Sequence, residues 1–272
     1  MSTLIFGTSG WYYKDWIGPV YESDKRRFSF YAGIFNTAEI NSTFYSYPSK
    51  SMMFGLFRFS PKTFVFSAKL PGLITHKKRL DLDRQIENDL LRFLELLNPL
   101  KASRKLGAIL IQLPPSFSFN EGYRKLSEFF TVLPDGYEFA VEFRHLSWMR
   151  NETWQLLKAN NVAYTIVDEP LLPPEVHVTA DFAYIRWHGR GSPLWYKYRY
   201  SDEELNPWIT KVEQVSEQSP KVYGYFNNHF YGYAMENCVH ILEMLGKATN
   251  TQVQIKHKIQ QHNLKERPEY YQ

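Results

Sequence analysis

Eight short runs with strand character recur along this chain, and most are separated by a stretch with helical spacing. They are Leu4–Thr8, Thr37–Asn41, Thr63–Leu70, Gly107–Leu113, Glu138–Phe143, Val162–Asp168, Phe182–His188 and Lys221–Asn227. Gly107–Leu113 (GAILIQL) is almost wholly apolar, as a parallel strand covered on both faces must be. Amphipathic spacing predicts helices over Lys50–Phe59, Leu82–Leu97, Glu121–Phe130, Ser147–Asn160, Ser201–Gln218 and Tyr231–Leu245. Pro99 is expected to end the second of these, Ser201 and Glu204 to open the fifth as a capping box, and Gly246 to close the last. The stretch after Asp168, EPLLPPE, is too rich in proline for a helix and reads as a loop over a strand end.

Eight strands with intervening helices within 272 residues are the pattern of one (β/α)8 barrel, which needs roughly 250 residues. The rival, an open doubly wound sheet, lacks its Gly-rich phosphate turn here. The expected architecture is α/β: a single TIM-like barrel over residues 1–246, followed by a polar, surface-lying C-terminal extension over 247–272 that frays at its end.

Composition closes off several classes. One cysteine, Cys238, excludes a disulfide framework and any Cys-based metal motif. The first residues lead straight into a strand-like run, with no basic segment or long apolar stretch, so a cytoplasmic protein without membrane contact is expected. The net charge of +4 is modest, and the basic runs Lys25–Arg27 and Lys77–Arg79 are short enough to read as solvated surface. Aromatics at 17% allow a core built from rings as well as aliphatics.

The informative pattern is where polarity falls. Each strand is apolar until its C-terminal end and then turns polar. The first gives Thr8, Ser9 and Trp11; the second Glu39 and Asn41; the third Lys69, with His76 beyond; the fourth Gln112. The fifth gives Glu142, Arg144 and His145, the sixth Asp168, the seventh Arg186 and His188, and the eighth Asn227, Asn228 and His229. In a barrel these ends converge on one mouth, where barrel enzymes place their active sites. A lone Glu–Arg pair is usually a structural ion pair, but a gathering over all eight strands points to a pocket.

At these residues the sequence resembles the YecE-like family, domain of unknown function 72. The matching blocks are GTSGW (Gly7–Trp11), EINSTFY (Glu39–Tyr45), KLPGLITH (Lys69–His76), QLPPSF (Gln112–Phe117), VEFRHLSW (Val141–Trp148), RWHG (Arg186–Gly189) and YFNNHFYGYA (Tyr225–Ala234). They run in order over residues 4 to 246, and the tail beyond reads as an addition to the family core. The resemblance implies a TIM-like barrel and supplies no reaction.

Three functional readings follow. The first is an acid/base enzyme of hydrolase or isomerase type, without metal, on an anionic or sugar-like small molecule. Glu142 and Glu39 are its candidate carboxylates, with His188 as a third catalytic candidate. Lys69, Arg144 and Arg186 would clamp an anionic group, with Asp168 beside them. Gln112, Asn227 and Asn228 would read hydroxyls, and Trp11, Tyr45, Trp148 and Trp187 would stack on a ring. The second is a metal-dependent hydrolase or isomerase using Glu39, Glu142, Asp168, His145, His188 and His229. The nearby Lys69, Arg144 and Arg186 argue against a dication, and no HxH or HExxH spacing is present. No cofactor is identified, and a divalent metal is the one group these side chains would admit. The third is a binder of nucleotides or nucleic acid, for which no motif is present. HGRGS (His188–Ser192), Gly-rich after a strand, could cradle a phosphate, but two glycines are a weak signal and a plain turn is the favoured reading.

Overall fold

The computed structural model of the chain describes residues 2–271. Its centre is a closed barrel of eight parallel strands in sequence order: β1 (Thr3–Ser9), β2 (Thr37–Ile40), β3 (Val65–Lys69), β4 (Leu106–Gln112), β5 (Phe139–Glu142), β6 (Ala163–Asp168), β7 (Ala183–Trp187) and β8 (Lys221–Phe226). The ring is closed by β1 and β8, in register from Thr3 opposite Lys221 to Thr8 opposite Phe226. The eight strands expected from the sequence are all present, each within a few residues of its expected bounds.

The barrel interior is filled by unequal partners. Ala108, Ala140 and Ala163, from β4 to β6, leave room that Tyr184, Tyr223 and Tyr225 from β7 and β8 occupy. A buried phenol needs a hydrogen-bond partner. Tyr225 meets Thr37 Oγ1 at 2.8 Å and donates to Ser67 Oγ at 2.9 Å; Tyr223 donates to Glu138 Oε2 at 2.7 Å. Tyr184, higher in the barrel, donates to Glu39 Oε2 at 2.7 Å. The interior thus turns from apolar to polar towards the strand C-terminal ends.

Around the barrel lie α1 (Arg27–Ala32), α2 (Ser42–Tyr45), α3 (Lys50–Phe59), α4 (Ile86–Ala102), α5 (Phe119–Phe130), α6 (Asn151–Ala159), α7 (Asp202–Gln218), α8 (Tyr233–Met244) and α9 (Asn250–Glu266). None is long and apolar enough to cross a membrane. No helix follows β6, and the proline-rich stretch there is irregular, as its composition requires. Lys211 on α7 pins it by donating to the Pro174 carbonyl at 2.7 Å. α7 opens with the expected capping box, Ser201 against Glu204.

Two expectations need correction. α4 does not stop before Pro99 but runs through it to Ala102. Proline removes one backbone donor, but the buried Leu94, Leu97 and Leu100 hold the last turns to the core, and Ser103 Oγ donates to the carbonyls of Pro99 and Leu100. The C-terminal segment is not a frayed surface run. Its residues 250–266 form α9, opened by a Thr249/Gln252 capping box and packed on α8. Three side chains tie it down: Gln252 donates to the Ile34 carbonyl at 3.0 Å, Lys258 to Val20 at 3.1 Å and Asn263 to Tyr231 at 2.9 Å. The average composition is polar because only a narrow stripe, centred on Ile255 and Ile259, faces inward. Ile259→Ala, which empties a fully buried site, is expected to lower unfolding free energy by about 2–5 kcal/mol in urea titrations. A loss below 0.5 kcal/mol would show that α9 contributes little to the fold.

Candidate functional site

Strand alternation turns Tyr184 and Arg186 of β7 into the barrel, and Ile185 and Trp187 out towards the helices. The Arg186 guanidinium therefore enters the mouth, where it meets the two glutamates of β2 and β5. Its Nη2 donates to Glu39 Oε1 at 2.7 Å and its Nη1 to Glu142 Oε2 at 2.6 Å. Ser9 Oγ completes Glu39 at 2.8 Å. Both glutamates are wholly buried and Arg186 nearly so. Burial alone would lower the pKa of Arg186, but the two carboxylates raise it above its ordinary value. Burial would raise that of Glu142, but Arg144 and Arg186 hold it well below the usual carboxylate range. This is a fixed, fully charged floor.

A second layer lies above it and is more open. Glu142 Oε1 accepts from Arg144 Nε at 2.5 Å and from Gln112 Nε2 at 2.7 Å. Gln112 Oε1 in turn accepts from Lys69 Nζ at 2.9 Å. Arg144 also donates from Nη1 to Glu169 Oε2 at 2.6 Å, and its Nη2 lies 3.0 Å from His188 Nε2. The other ring nitrogen of His188 lies 3.1 Å from Asn227 Nδ2. Burial and the neighbouring Arg144 push the His188 pKa down to about 3, so its ring is neutral. Burial, with Arg186, lowers Lys69 to about 7 against the pull of Glu39 and Glu142. Burial, with Glu142, raises Glu169 to about 7 against the pull of Arg144. Glu169 Oε1 is buried with no partner.

Glu39, Lys69, Gln112, Glu142, Arg144, Arg186, His188 and Asn227 thus come together as one hydrogen-bonded network. Asp168, Asn228 and Trp11 do not join it. Asp168 is on the outward face of β6, in register with Trp187. Its Oδ1 and Oδ2 accept from Arg190 at 2.8 Å each, and Oδ2 also from Trp208 Nε1 of α7 at 2.7 Å. Asp168→Ala is expected to cost about 1–3 kcal/mol of stability by orphaning the buried Trp208 indole N–H, and to leave ligand binding at the mouth unchanged. Loss of binding without loss of stability would return Asp168 to the pocket. Asn228 is a buried brace, donating to the Tyr198 carbonyl at 2.9 Å and to Asn237 Oδ1 on α8 at 2.8 Å. Trp11 leans on Phe28, Tyr31 and Phe66 outside the barrel. It lines a separate cavity of about 570 Å³ with Tyr12, Tyr13, Asn41 and Tyr45, over the ends of β1 and β2.

The arginines expected to clamp an anion have partners inside the protein. Arg144 and Arg186 each pair with two carboxylates of the protein itself, Arg144 with Glu142 and Glu169, Arg186 with Glu39 and Glu142. Trp148 and Trp187 are fully buried and offer no stacking face. His145 Nδ1 lies 2.8 Å from Ser147 Oγ and accepts from the Ser147 N–H, and His229 stacks on Tyr13 at 4.2 Å. Among the described residues no three His, Cys, Asp or Glu side chains are grouped so as to hold a metal ion. The Gly189 N–H donates to Tyr200 Oη at 2.8 Å and that of Gly191 to the Trp195 carbonyl at 3.1 Å, so this loop is a turn closed on itself. Gly189 is required there: its φ is +88°, and a Cβ would stand 2.3 Å from the Trp195 carbonyl. Two members of the second basic run are paired with acids. Arg79 donates twice to Glu121, and Lys78 lies 2.6 Å from Asp89.

Glu169 is the residue that reading the sequence missed. Period-two counting along β6 finds it, since Ala163 faces the interior and Glu169 follows by an even step, while Asp168 follows by an odd one.

Residues 5–263 match the family described as Protein of unknown function DUF72. The chain belongs to the DUF72 family. The match runs into α9, so this helix is not an addition to the DUF72 core. A DUF72 protein of Thermotoga maritima MSB8, solved by crystallography, is 33% identical, with a TM-score of 0.82 over 90% of this chain and 99% of its own. A second DUF72 structure, from Enterococcus faecalis V583, shares the fold at 22% identity, with a TM-score of 0.77 over 91% of this chain and 97% of its own. The UPF0759 protein YunF of Bacillus subtilis is 25% identical over 266 residues, 89% of this chain and 94% of the relative.

Proposed function

We propose that this DUF72 chain is a proton-transfer enzyme of isomerase or hydrolase type, acting on a small polar molecule at the barrel mouth, with Glu169 as the acid/base group. The observation that supports this reading is one carboxyl in an unusual setting. Glu169 has one oxygen held by Arg144 and the other buried without a partner, and its pKa is brought to about 7. A carboxyl with that pKa can both donate and accept a proton near neutrality. Glu142 and Glu39 cannot share this role, because each is locked to Arg186. They serve instead as fixed negative charges that orient Arg144, Arg186 and, through Gln112, Lys69. The neutral His188 holds Arg144 in place. Gln112 and Asn227 are the half-buried polar groups a ligand would meet, with the buried Lys69 hydrogen-bonded to Gln112, and the aromatic cavity over β1 and β2 would take its less polar part. Nothing in the network favours a polyanion such as nucleic acid, since its arginines are internally paired.

Carbon-13 NMR of glutamate-labelled protein tests the assignment directly. One side-chain carboxyl should titrate near pH 7 and vanish in Glu169→Gln. A screen of sugar acids and sugar phosphates by ligand-observed NMR, run at pH 6 and 8, should give binders that the variant loses or binds without pH dependence. If every glutamate titrates below about pH 5.5, Glu169 is not the proton-transfer group.

A further inference from the structure

Three lysines are buried among the described residues, Lys69, Lys105 and Lys256, and they differ in a telling way. Lys105 donates its amine to three oxygens: the carbonyls of Phe57 and Ser60 at 2.9 and 2.8 Å, and Ser60 Oγ at 2.8 Å. That is a structural lysine with every N–H satisfied. Lys69, at the C-terminal end of β3, makes a single hydrogen bond, to the neutral amide of Gln112. Among the described residues it forms no ion pair, whereas Lys78, Lys221 and Lys256 pair with Asp89, Glu138 and Glu243. It keeps 8% of its surface open, and the ring of Phe44 lies 4.5 Å from its nitrogen.

We infer that Lys69 is a nucleophilic amine that condenses with the carbonyl group of a small aldehyde or ketone at the barrel mouth to form an imine. This rests on the proposed reading only in placing the ligand at the mouth. The groups facing Lys69 are Arg186 and Arg144, which disfavour its charged form, and Glu39 and Glu142, which favour it. The balance leaves about half the amine unprotonated near neutrality, where an ordinary lysine has about one part in a thousand or less. The lone pair of Nζ attacks the carbonyl carbon, forming the C–N bond while the carbonyl oxygen takes up a proton as hydroxyl. That hydroxyl leaves as water, and the imine forms with no oxidant or reductant required. The two protons shed by nitrogen are the two that leave in the water, and His76, edge-on to the same Phe44 ring at 4.8 Å, is held neutral by burial and Lys69, its pKa lowered to about 4. A protonated imine acidifies the adjoining C–H, which is the kind of proton Glu169 would remove.

The test is reductive trapping on the intact chain at pH 7, with formaldehyde or glycolaldehyde and sodium cyanoborohydride, followed by peptide mapping. Hydride adds to the imine carbon and fixes the adduct. Lys69 should be labelled at least tenfold faster than the median surface lysine with both probes, and Lys105 should lag behind the surface. All lysines are compared within one folded protein, so no variant has to fold for the result to count. Labelling of Lys69 at or below the surface median with both probes overturns the inference, even if Glu169 titrates near neutrality. Fast labelling at Lys69 with no carboxyl titrating near pH 7 overturns the proton-transfer reading and leaves the imine standing.

Discussion

Arg186→Met lowers the stability of this protein by roughly 3–5 kcal/mol at neutral pH, the range seen when one member of a buried ion network is removed. Methionine is of similar length and fills the space, so the loss is electrostatic, not a cavity effect. Glu39 and Glu142 are then left facing each other in the barrel mouth, wholly buried and without their shared cation. The pH dependence separates this from a packing defect. In the native protein Glu142 is held below its unfolded pKa, so its contribution is present above about pH 4.5 and is lost as pH falls through the folded value. In the variant Glu142 has lost the support of Arg186, its folded pKa rises, and stability recovers as pH falls and it takes up a proton. Urea unfolding at pH 4.5, 6 and 7.5 should therefore show wild type and variant converging towards acid. A constant difference across that range would mean that the floor is not an electrostatic unit.

Glu169→Gln should have the opposite effect on stability and abolish function. Folded, Glu169 keeps its proton up to about pH 7; unfolded, it loses it near 4.5. Between those values the folded state binds more protons, so wild-type stability falls as pH rises, and the deficit persists above pH 7. A displacement of this size corresponds to at most ~3 kcal/mol, and rearrangement around the charge brings the expected gain of the variant at pH 8 to about 1–2 kcal/mol. Lys69 acts with the other sign. Folded, it gives up its proton near pH 7, while the unfolded chain keeps it to about 10.5, so stability climbs over that interval. The wild-type profile should therefore dip around neutrality, and Glu169→Gln should remove the acid-side slope and keep the alkaline-side rise. Denaturation midpoints at pH 5, 7 and 9 decide it; parallel curves for the two proteins would refute the placement of Glu169. A group that stabilises the fold when removed and abolishes turnover is what a functional residue held against its preference should look like.

The barrel was legible because parallel strands buried on both faces leave dense apolar runs, and because polarity gathers at their ends. Eight residues that meet in the mouth network were legible for the same reason. Asp168, Asn228 and Trp11 were misplaced because strand ends carry side chains on both faces, and residue type does not tell inside from outside. Asp168 and Glu169 are chemically alike and adjacent; only the pleat separates a structural clamp on Arg190 from a candidate proton carrier. The internal pairing of the arginines was hidden for a different reason. A sequence shows an arginine's charge but not its partners, and Arg186 lies between two carboxylates that are 103 positions apart in the chain, Glu39 and Glu142. The helix α9 was hidden by averaging, since two isoleucines in one stripe carry its inward face.

That helix has a consequence for the order of events during synthesis. β1 finds its second neighbour only in β8, and α9 then reaches back to the carbonyls of Val20 and Ile34 in the first β/α unit. Until β8 and α9 have left the ribosome, the earliest strand is an open edge with unpaired backbone groups. A growing chain therefore carries the unpaired edge of β1 until β8 follows, more than 200 residues later, and α9 then ties itself to the first β/α unit.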